Sequence, residues 1–269
     1  MQFAFLNGVV LHYQTIGAPA GKPTIVFANA LGTDFRIWRD VIVRLAGDFA
    51  ILTYDKRGHG LSDVGEAPYS MDDHVSDLEA LLDHLQVKNA IICGLSVGGV
   101  IAQGLYARRK DLVRALILCD AAPKIGDTES WNQRIAIVNE AGIAALADSI
   151  LQKWFTPEFR DPGNADFAGY RNMLTRSPVE GYAGTCAALR DCDYTNDARQ
   201  IGVPTLCVVG DQDGSTPPDL VLSMAKLIPA ARYEVIEGAG HLPCVEQPET
   251  LVAVIRAFLS GLDTGGNGG

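Results

Sequence analysis

Cys93-Gly94-Leu95-Ser96-Val97-Gly98-Gly99 is the stretch on which the fold of this chain turns. An apolar run, Asn89-Ala90-Ile91-Ile92, leads into it, and a run of helical character from Val100 to Ala107 leads out. Strand, sharp turn and helix, with Gly-x-Ser-x-Gly at the turn, read as a nucleophile elbow. The turn forces the serine into a strained backbone conformation, and Gly94 and Gly98 remove the Cβ atoms that would collide where strand passes into helix. A hydroxyl is thereby lifted beside the first backbone N–H groups of a helix. A tight turn with no chemistry can show the same five residues, so the motif takes its meaning from the rest of the chain.

Working outward, the amino-terminal residues Phe3-Ala4-Phe5 and Val9 to Thr15 flank Asn7-Gly8 and predict a β-hairpin. Thr24 to Ala28 and Ala50 to Tyr54 are short apolar runs of the kind found in buried strands. Between them, Ile37, Trp38, Val41, Ile42 and Leu45 fall at helical spacing and predict a helix over 35–45. Ser70 is placed to cap a helix with acids in its first turn and a stripe of Val75, Leu78, Leu81, Leu82 and Leu85. The elbow follows, then a strand over 115–119. Alternating strand and helix periods imply a mostly parallel central sheet flanked by helices.

The rhythm changes over 121–201. Helical segments are expected at 131–140, 143–155, 167–174 and 182–189, broken by Pro157, Pro162-Gly163 and Pro178. This insertion reads as a helical cap over the sheet's carboxyl edge. Strand rhythm resumes at Pro204-Thr205-Leu206-Cys207-Val208-Val209, followed by a helix over 218–227, a strand over 232–236 and a final helix over 248–259. The expected organisation is a core of 1–120 and 202–262, a cap of 121–201, and a glycine-rich tail, 263–269, without fixed structure.

Composition narrows the function. With 22 basic and 32 acidic side chains the net charge is −10, a poor match to nucleic acid or an anionic membrane, both of which reward clustered positive charge. An anionic small molecule stays possible if a local Arg or Lys offsets the field. Cys93, Cys119, Cys186, Cys192, Cys207 and Cys244 show neither Cys-x-x-Cys nor zinc-ligand spacing, and read as free thiols in a reducing compartment. No basic segment followed by an apolar stretch opens the chain, and no apolar run reaches membrane-spanning length, so a cytoplasmic protein is expected.

A serine hydroxyl is a weak nucleophile that needs a base, and the base needs an orienting acid. Ligands of parallel sheets bind outside the carboxyl ends of the strands, so those loops should supply both. The loop after strand 205–209 carries Asp211 and Asp213, and the loop after strand 232–236 carries His241. Ser96, an Asp and His241 thus follow three different strands, in the order Ser, Asp, His. Asp213 stands three positions after Gly210, the spacing usual in hydrolases with this order; Asp211 then reads as a capping or loop residue. Of the other histidines, His12, His74 and His84 read as solvated surface, and His59, in Arg57-Gly58-His59-Gly60, as a packing and hydrogen-bonding residue of its loop. An oxyanion hole needs two backbone donors. Val97 at the start of the elbow helix and Leu31 in the loop after strand 24–28 are the candidates.

The chain resembles the α/β-hydrolases over nearly its whole length. More narrowly, it resembles the 3-oxoadipate enol-lactonases of bacterial aromatic catabolism, the β-ketoadipate pathway. The stretches that carry the resemblance are Asn29 to Asp34, Tyr54 to Ser62, Gly94 to Gly99, Ala121 to Gly126 with Trp131-Asn132-Gln133-Arg134, Gly181-Tyr182 through Cys186 to Leu189-Arg190-Asp191, and Thr216-Pro217-Pro218. Where related enzymes often have His-Gly after the first parallel strand, this chain has Asn29-Ala30-Leu31-Gly32, which leaves a backbone donor in place. The resemblance implies a carboxylic-ester hydrolase, a small anionic lactone as substrate, no metal and no organic cofactor. It also implies a cap residue that pairs with the substrate carboxylate. Arg134 and Arg190 are the foremost candidates, with Arg171 and Arg176 behind them, and Trp131 either walls the ring site or anchors the cap. A carboxylesterase or cofactor-free perhydrolase of the same fold is the alternative, and a non-enzymatic ligand-binding protein a third, which the intact Ser96, Asp213 and His241 argue against.

Overall fold

Strands bounded by glycine and proline do form from the apolar runs. The computed structural model describes residues 1–18 and 20–264. Its eight strands are β1 (Gln2–Leu6), β2 (Val9–Ile16), β3 (Thr24–Ala28), β4 (Ala50–Tyr54), β5 (Ala90–Leu95), β6 (Val113–Cys119), β7 (Thr205–Gly210) and β8 (Arg232–Ile236). They make one sheet in the order β1-β2-β4-β3-β5-β6-β7-β8. The β1–β2 and β2–β4 pairs are antiparallel and every other pair is parallel. Asn7 and Gly8 both take left-handed backbone conformations, with φ of 48° and 78°, as a two-residue hairpin turn requires. Every residue of β5 and β7 is buried, because helices cover both faces at the middle of the sheet.

From β3 the chain moves to β4 on one side, then crosses to β5 on the other. The crevice outside the carboxyl ends of β3 and β5 is therefore a topological switch point, the place where open α/β sheets bind ligands. Helix α1 (Arg39–Leu45) is preceded by a 3-10 turn, Phe35–Trp38, so the single helix expected over 35–45 is two pieces. The Asp34 side chain accepts from the Arg36 N–H and draws the first turn tight. Helix α2 (Met71–His84) begins with a reciprocal box between Ser70 and Asp73, and α3 (Val97–Arg108) leaves the elbow.

Between β6 and β7 the chain is helical: α4 (Thr128–Ala141), α5 (Ala147–Trp154), α6 (Ala165–Thr175), α7 (Val179–Asp191) and the short α8 (Thr195–Ala198). Helices α4 and α7 pack on each other, and α7 also touches α2 of the core. Helix α9 (Pro218–Leu227) separates β7 from β8, and α10 (Pro243–Glu246) and α11 (Pro248–Thr264) end the described chain. Helix α11 runs on to Thr264, past the expected end at 259 and into the tail expected from 263; residues 265–269 lie outside the described residues.

Two histidine expectations are corrected. His12 and His74 are buried, not solvated. His12 lies within 2.8 Å of the Asp55 carboxylate and stacks between Phe3 and Phe35. His74 falls on the inward stripe of α2 with Met71, Val75, Leu78, Leu81 and Leu82, and burial pushes its ring down to about 3. Acidic neighbours in sequence hid the place of His74 on that stripe. His84 is exposed, as expected. The six cysteines are free, five buried and Cys192 half-buried. Among the described residues no helix is long and apolar enough to cross a membrane.

The elbow fits because glycine backbones touch. A Cβ on Gly94 would run into the Gly98 carbonyl, and a Cβ on Gly98 would run into the carbonyl of Ala28 at the end of β3. Backbone has no flexible end that can swing aside. Gly98→Ala is therefore expected to destabilise by about 2 kcal/mol or more, at the upper part of the overpacking range. Urea unfolding checks this, and a midpoint equal to wild type would show that the crossing can open.

Candidate active site

Ser96 takes φ 57° and ψ −118°, a strained conformation for a residue with a side chain. Its N–H donates to the Cys119 carbonyl, and its own carbonyl accepts from Gly99 and Val100. The strand thus hands over to the helix within one residue. Val97 is the first residue of α3, so its N–H has no carbonyl one turn earlier to bond. Across the switch point, Ala30 and Leu31 follow β3 and line the same cavity as Ser96.

Asp213 and His241 come together from neighbouring loops. His241 Nδ1 lies 2.8 Å from Asp213 Oδ2, with both side chains buried. Oδ2 also accepts from the Thr216 hydroxyl at 2.6 Å, and Oδ1 accepts from the Ser215 and Thr216 N–H groups. Burial alone would push this carboxyl up, but the His241 ring and the donors from Thr216 and Ser215 outweigh it and hold Asp213 below the usual carboxylate range. Asp211 takes no part. It is exposed, and it bonds the Ala239 N–H to join the two loops. His59 is fully buried beneath the β3 loop, where Nε2 accepts from the Gly32 N–H, so that Nδ1 carries the proton and faces the Arg57 carbonyl.

A cavity of about 170 Å³ opens over Ser96 and His241. Trp131 and Arg134 of α4, Lys153 and Trp154 of α5, and Tyr182 of α7 wall it from the helical side. Trp131 both walls and anchors: its indole N–H donates to the Ile125 carbonyl at 2.7 Å. Arg134 lies over the Trp131 ring, 5.0 Å from its centre. Arg190 does not reach the cavity. It pairs with Asp191 and bonds Asn132 on the surface, so its expected role in substrate binding is not supported by its position. A carboxylate beside it in sequence captures it first. Arg171 is held by Asp148, and Arg176 is exposed away from the cavity.

Three features went unread in the sequence. Lys153 lines the cavity but sits on the exposed face of an amphipathic helix, so no pattern marked it. Asp120, one residue beyond β6 at the carboxyl edge, could have been found from its place after an apolar strand. It is fully buried with φ 48°, and its carboxyl accepts from the Gly210 N–H. Burial first, then the nearby Asp213 charge, push its carboxyl well above the usual carboxylate range. Thr216 ties the two aspartates, donating to Asp213 and lying 2.8 Å from the Asp120 carbonyl. Ligand atoms of Asp120, Asp213 and His241 lie within 4.8 Å of one another. The His–Asp pair is already bonded internally, and burial disfavours the charged Asp120 carboxylate that a metal ion would need.

The end of α5 also braces both loops. The Lys153 carbonyl accepts from the Gly214 N–H at 3.1 Å and the Trp154 carbonyl from the His241 N–H at 2.8 Å. Glu246 completes the brace, accepting from Gly240 with one oxygen and from Thr156 with the other.

Residues 23–248 match the family described as the alpha/beta hydrolase fold. The chain belongs to the α/β-hydrolase family. It is 33% identical over 251 residues to 3-oxoadipate enol-lactonase 2 of Acinetobacter baylyi, covering 93% of each chain. The enol-lactonase from Burkholderia xenovorans superposes with a TM-score of 0.92 at 34% identity, covering 96% of this chain and all of that one. A thermophilic esterase from Thermogutta terrifontis, solved with malate bound, gives a TM-score of 0.90 at 26% identity, covering 97% and 99%. This α/β-hydrolase thus resembles the enol-lactonases in both sequence and structure.

The two aspartates of the β7 loop should respond differently to loss of charge. Asp213→Asn is expected to lower turnover on the order of 10⁴-fold, by analogy with the same change in a known Ser-His-Asp site. Asp211→Asn should cost less than about tenfold, the effect of one exposed hydrogen bond. Steady-state hydrolysis of an ester by both variants tests the assignment, and equal losses would overturn it.

Proposed function

We propose that this protein opens the lactone ring of 3-oxoadipate enol-lactone, giving 3-oxoadipate through an acyl-enzyme on Ser96. One observation carries the reading. The cavity over Ser96 and His241 is also lined by Arg134 and Lys153, and neither takes part in an ion pair among the described residues. In a chain of net charge −10, two cations without a carboxylate partner in the cavity that holds Ser96 suit an ester that carries its own carboxylate. The enol-lactonase relatives support the same substrate. The cavity volume, about 170 Å³, is below the roughly 300–1,000 Å³ of drug-sized sites and favours a small ring over a long-chain ester.

In this reading His241 takes the Ser96 proton as Oγ attacks the lactone carbonyl. Asp213 holds the imidazole in the tautomer with hydrogen on Nδ1 and stabilises the imidazolium. The Val97 and Leu31 N–H groups receive the developing oxyanion. Collapse of the tetrahedral intermediate breaks the ring C–O bond, and His241 returns its proton to the departing oxygen. That oxygen leaves as an enol, a better leaving group than an alkoxide, and remains tethered to the acyl chain. Water deprotonated by His241 then attacks the acyl-enzyme and frees Ser96. The enol becomes a ketone, which draws the reaction forward. Trp131 flanks the ring, and Arg134 and Lys153 take the free carboxylate. A carboxylesterase acting on small acidic esters is the second reading, favoured by the likeness to the malate-bound esterase.

Enol-lactone and p-nitrophenyl acetate, compared on one preparation, test the proposal. Enol-lactone should be the better substrate by kcat/KM, and turnover no better than the acetate ester would sink the reading. Arg134→Ala and Lys153→Ala should each raise KM for enol-lactone by about tenfold or more, the value of one charge-assisted hydrogen bond. The acetate ester, having no carboxylate, should be nearly unaffected, and Arg190→Ala should change neither substrate.

A further inference from the structure

Lys56 follows β4 and is 1% exposed, one of the largest fully buried side chains in the protein. Burying an ammonium costs several kcal/mol unless partners replace its water. Here the partners are carbonyls. Lys56 Nζ lies 2.6 Å from the Ala30 oxygen, 3.4 Å from that of Asn29 and 3.5 Å from that of Thr33. Among the described residues no carboxylate forms an ion pair with it. An apolar side chain of similar volume would fill the space without that cost, so a charge under this loop calls for an explanation.

The closest of these carbonyls belongs to a particular peptide. The C=O of Ala30 and the N–H of Leu31 are two ends of one planar amide, pointing in opposite directions. Lys56 holds the oxygen end beneath the loop, and the Thr33 hydroxyl and N–H also donate to that oxygen, at 2.9 and 3.3 Å. A charged donor on the oxygen draws electron density through the amide and makes the N–H at the far end a stronger donor. Fixing the oxygen also fixes the direction of the N–H. The opposite end is the Leu31 N–H, and Leu31 lines the cavity together with Ser96.

We propose that Lys56 is a positioning residue that orients and polarises the Ala30–Leu31 peptide, so that the Leu31 N–H binds the oxyanion of the transition state more strongly than the neutral ester carbonyl. This rests on the reading of Leu31 as an oxyanion donor. The gain is larger in the transition state than in the ground state, because negative charge builds on the oxygen as the serine attacks.

The charge on Lys56 is adjustable. Burial pushes its ammonium down to about 7, with the Asp55 and Asp34 carboxylates opposing. Asp55 is itself engaged by His12 and Asp34 by Arg36. On the other sides stand His59 and His74, both kept neutral by burial and by the Lys56 charge. The sign follows: Lys56 is charged and the peptide fully polarised below about 7, and the effect fades as pH rises through that value.

The experiment compares an oxygen ester with the thiono ester of the same acyl and leaving groups. Sulfur accepts hydrogen bonds weakly, so the thiono substrate gains little from a polarised N–H. Both substrates need the same base, and the ratio of their kcat values cancels its contribution. In the wild-type protein that ratio should fall on the order of tenfold between about pH 5.5 and pH 8.5. In Lys56→Met and Lys56→Gln the ratio should be low throughout and flat with pH, with KM for the oxygen ester within about twofold of wild type. A flat ratio in the wild type, which needs no variant, would overturn the proposal, as would equal losses on both esters in the variants. The substrate reading fails separately: a ratio that follows Lys56 while enol-lactone is no better than a simple ester leaves this inference standing and removes the other.

Discussion

Backbone meets backbone where α3 starts beneath the end of β3, and Gly98 against the Ala28 carbonyl leaves no space for a side chain. That contact fixes the distance between the elbow and the β3 loop. Ser96 is held in a conformation it would not otherwise adopt, and the start of α3 lies next to the end of β3 because β3 and β5 are adjacent in the sheet. The strain at Ser96 is sustained by the buried strands on either side, β3 and β6, which leave the turn no room to relax.

Charge is distributed unevenly around this crevice. Behind the His–Asp pair, burial and the Asp213 charge push the Asp120 carboxyl toward its neutral form. Below the β3 loop Lys56 lies among carbonyls, and Arg134 and Lys153 line the cavity on the helical side. The protein is acidic overall, yet among the described residues no carboxylate lines the cavity that holds Ser96. Low-dielectric surroundings make such local placement count for more than the net charge does.

The sheet was legible because its strands are apolar runs with clear punctuation. Strands β3, β4 and β8 and helix α9 have the bounds the sequence suggests. Ser96, Asp213 and His241 were legible for a related reason: each follows a strand, so strand rhythm alone sends them to one edge. The helical walls were less so. Arg134 and Arg190 look equivalent in sequence, and only packing turns one inward and leaves the other to Asp191. His74 was misread because its neighbours are acidic, although its spacing matches the buried stripe of α2. Lys56 carried no signal at all, since nothing local reveals that a lysine after a strand will be roofed by another strand's loop.

The brace at the end of α5 constrains how such a site can change over evolutionary time. Its last carbonyls hold the loops of Asp213 and His241, and Glu246 ties the following turn to the same place. A substitution that shifts α5 therefore moves the reactive groups along with the cavity wall. Among the described residues helix α4 carries no such bonds to either loop, and it packs on α7. New selectivity can be acquired cheaply from Trp131 and Arg134 on α4, whereas Lys153 and Trp154 can change their side chains only while the backbone beneath them stays still. The pocket has one wall open to diversification and one that descent must preserve.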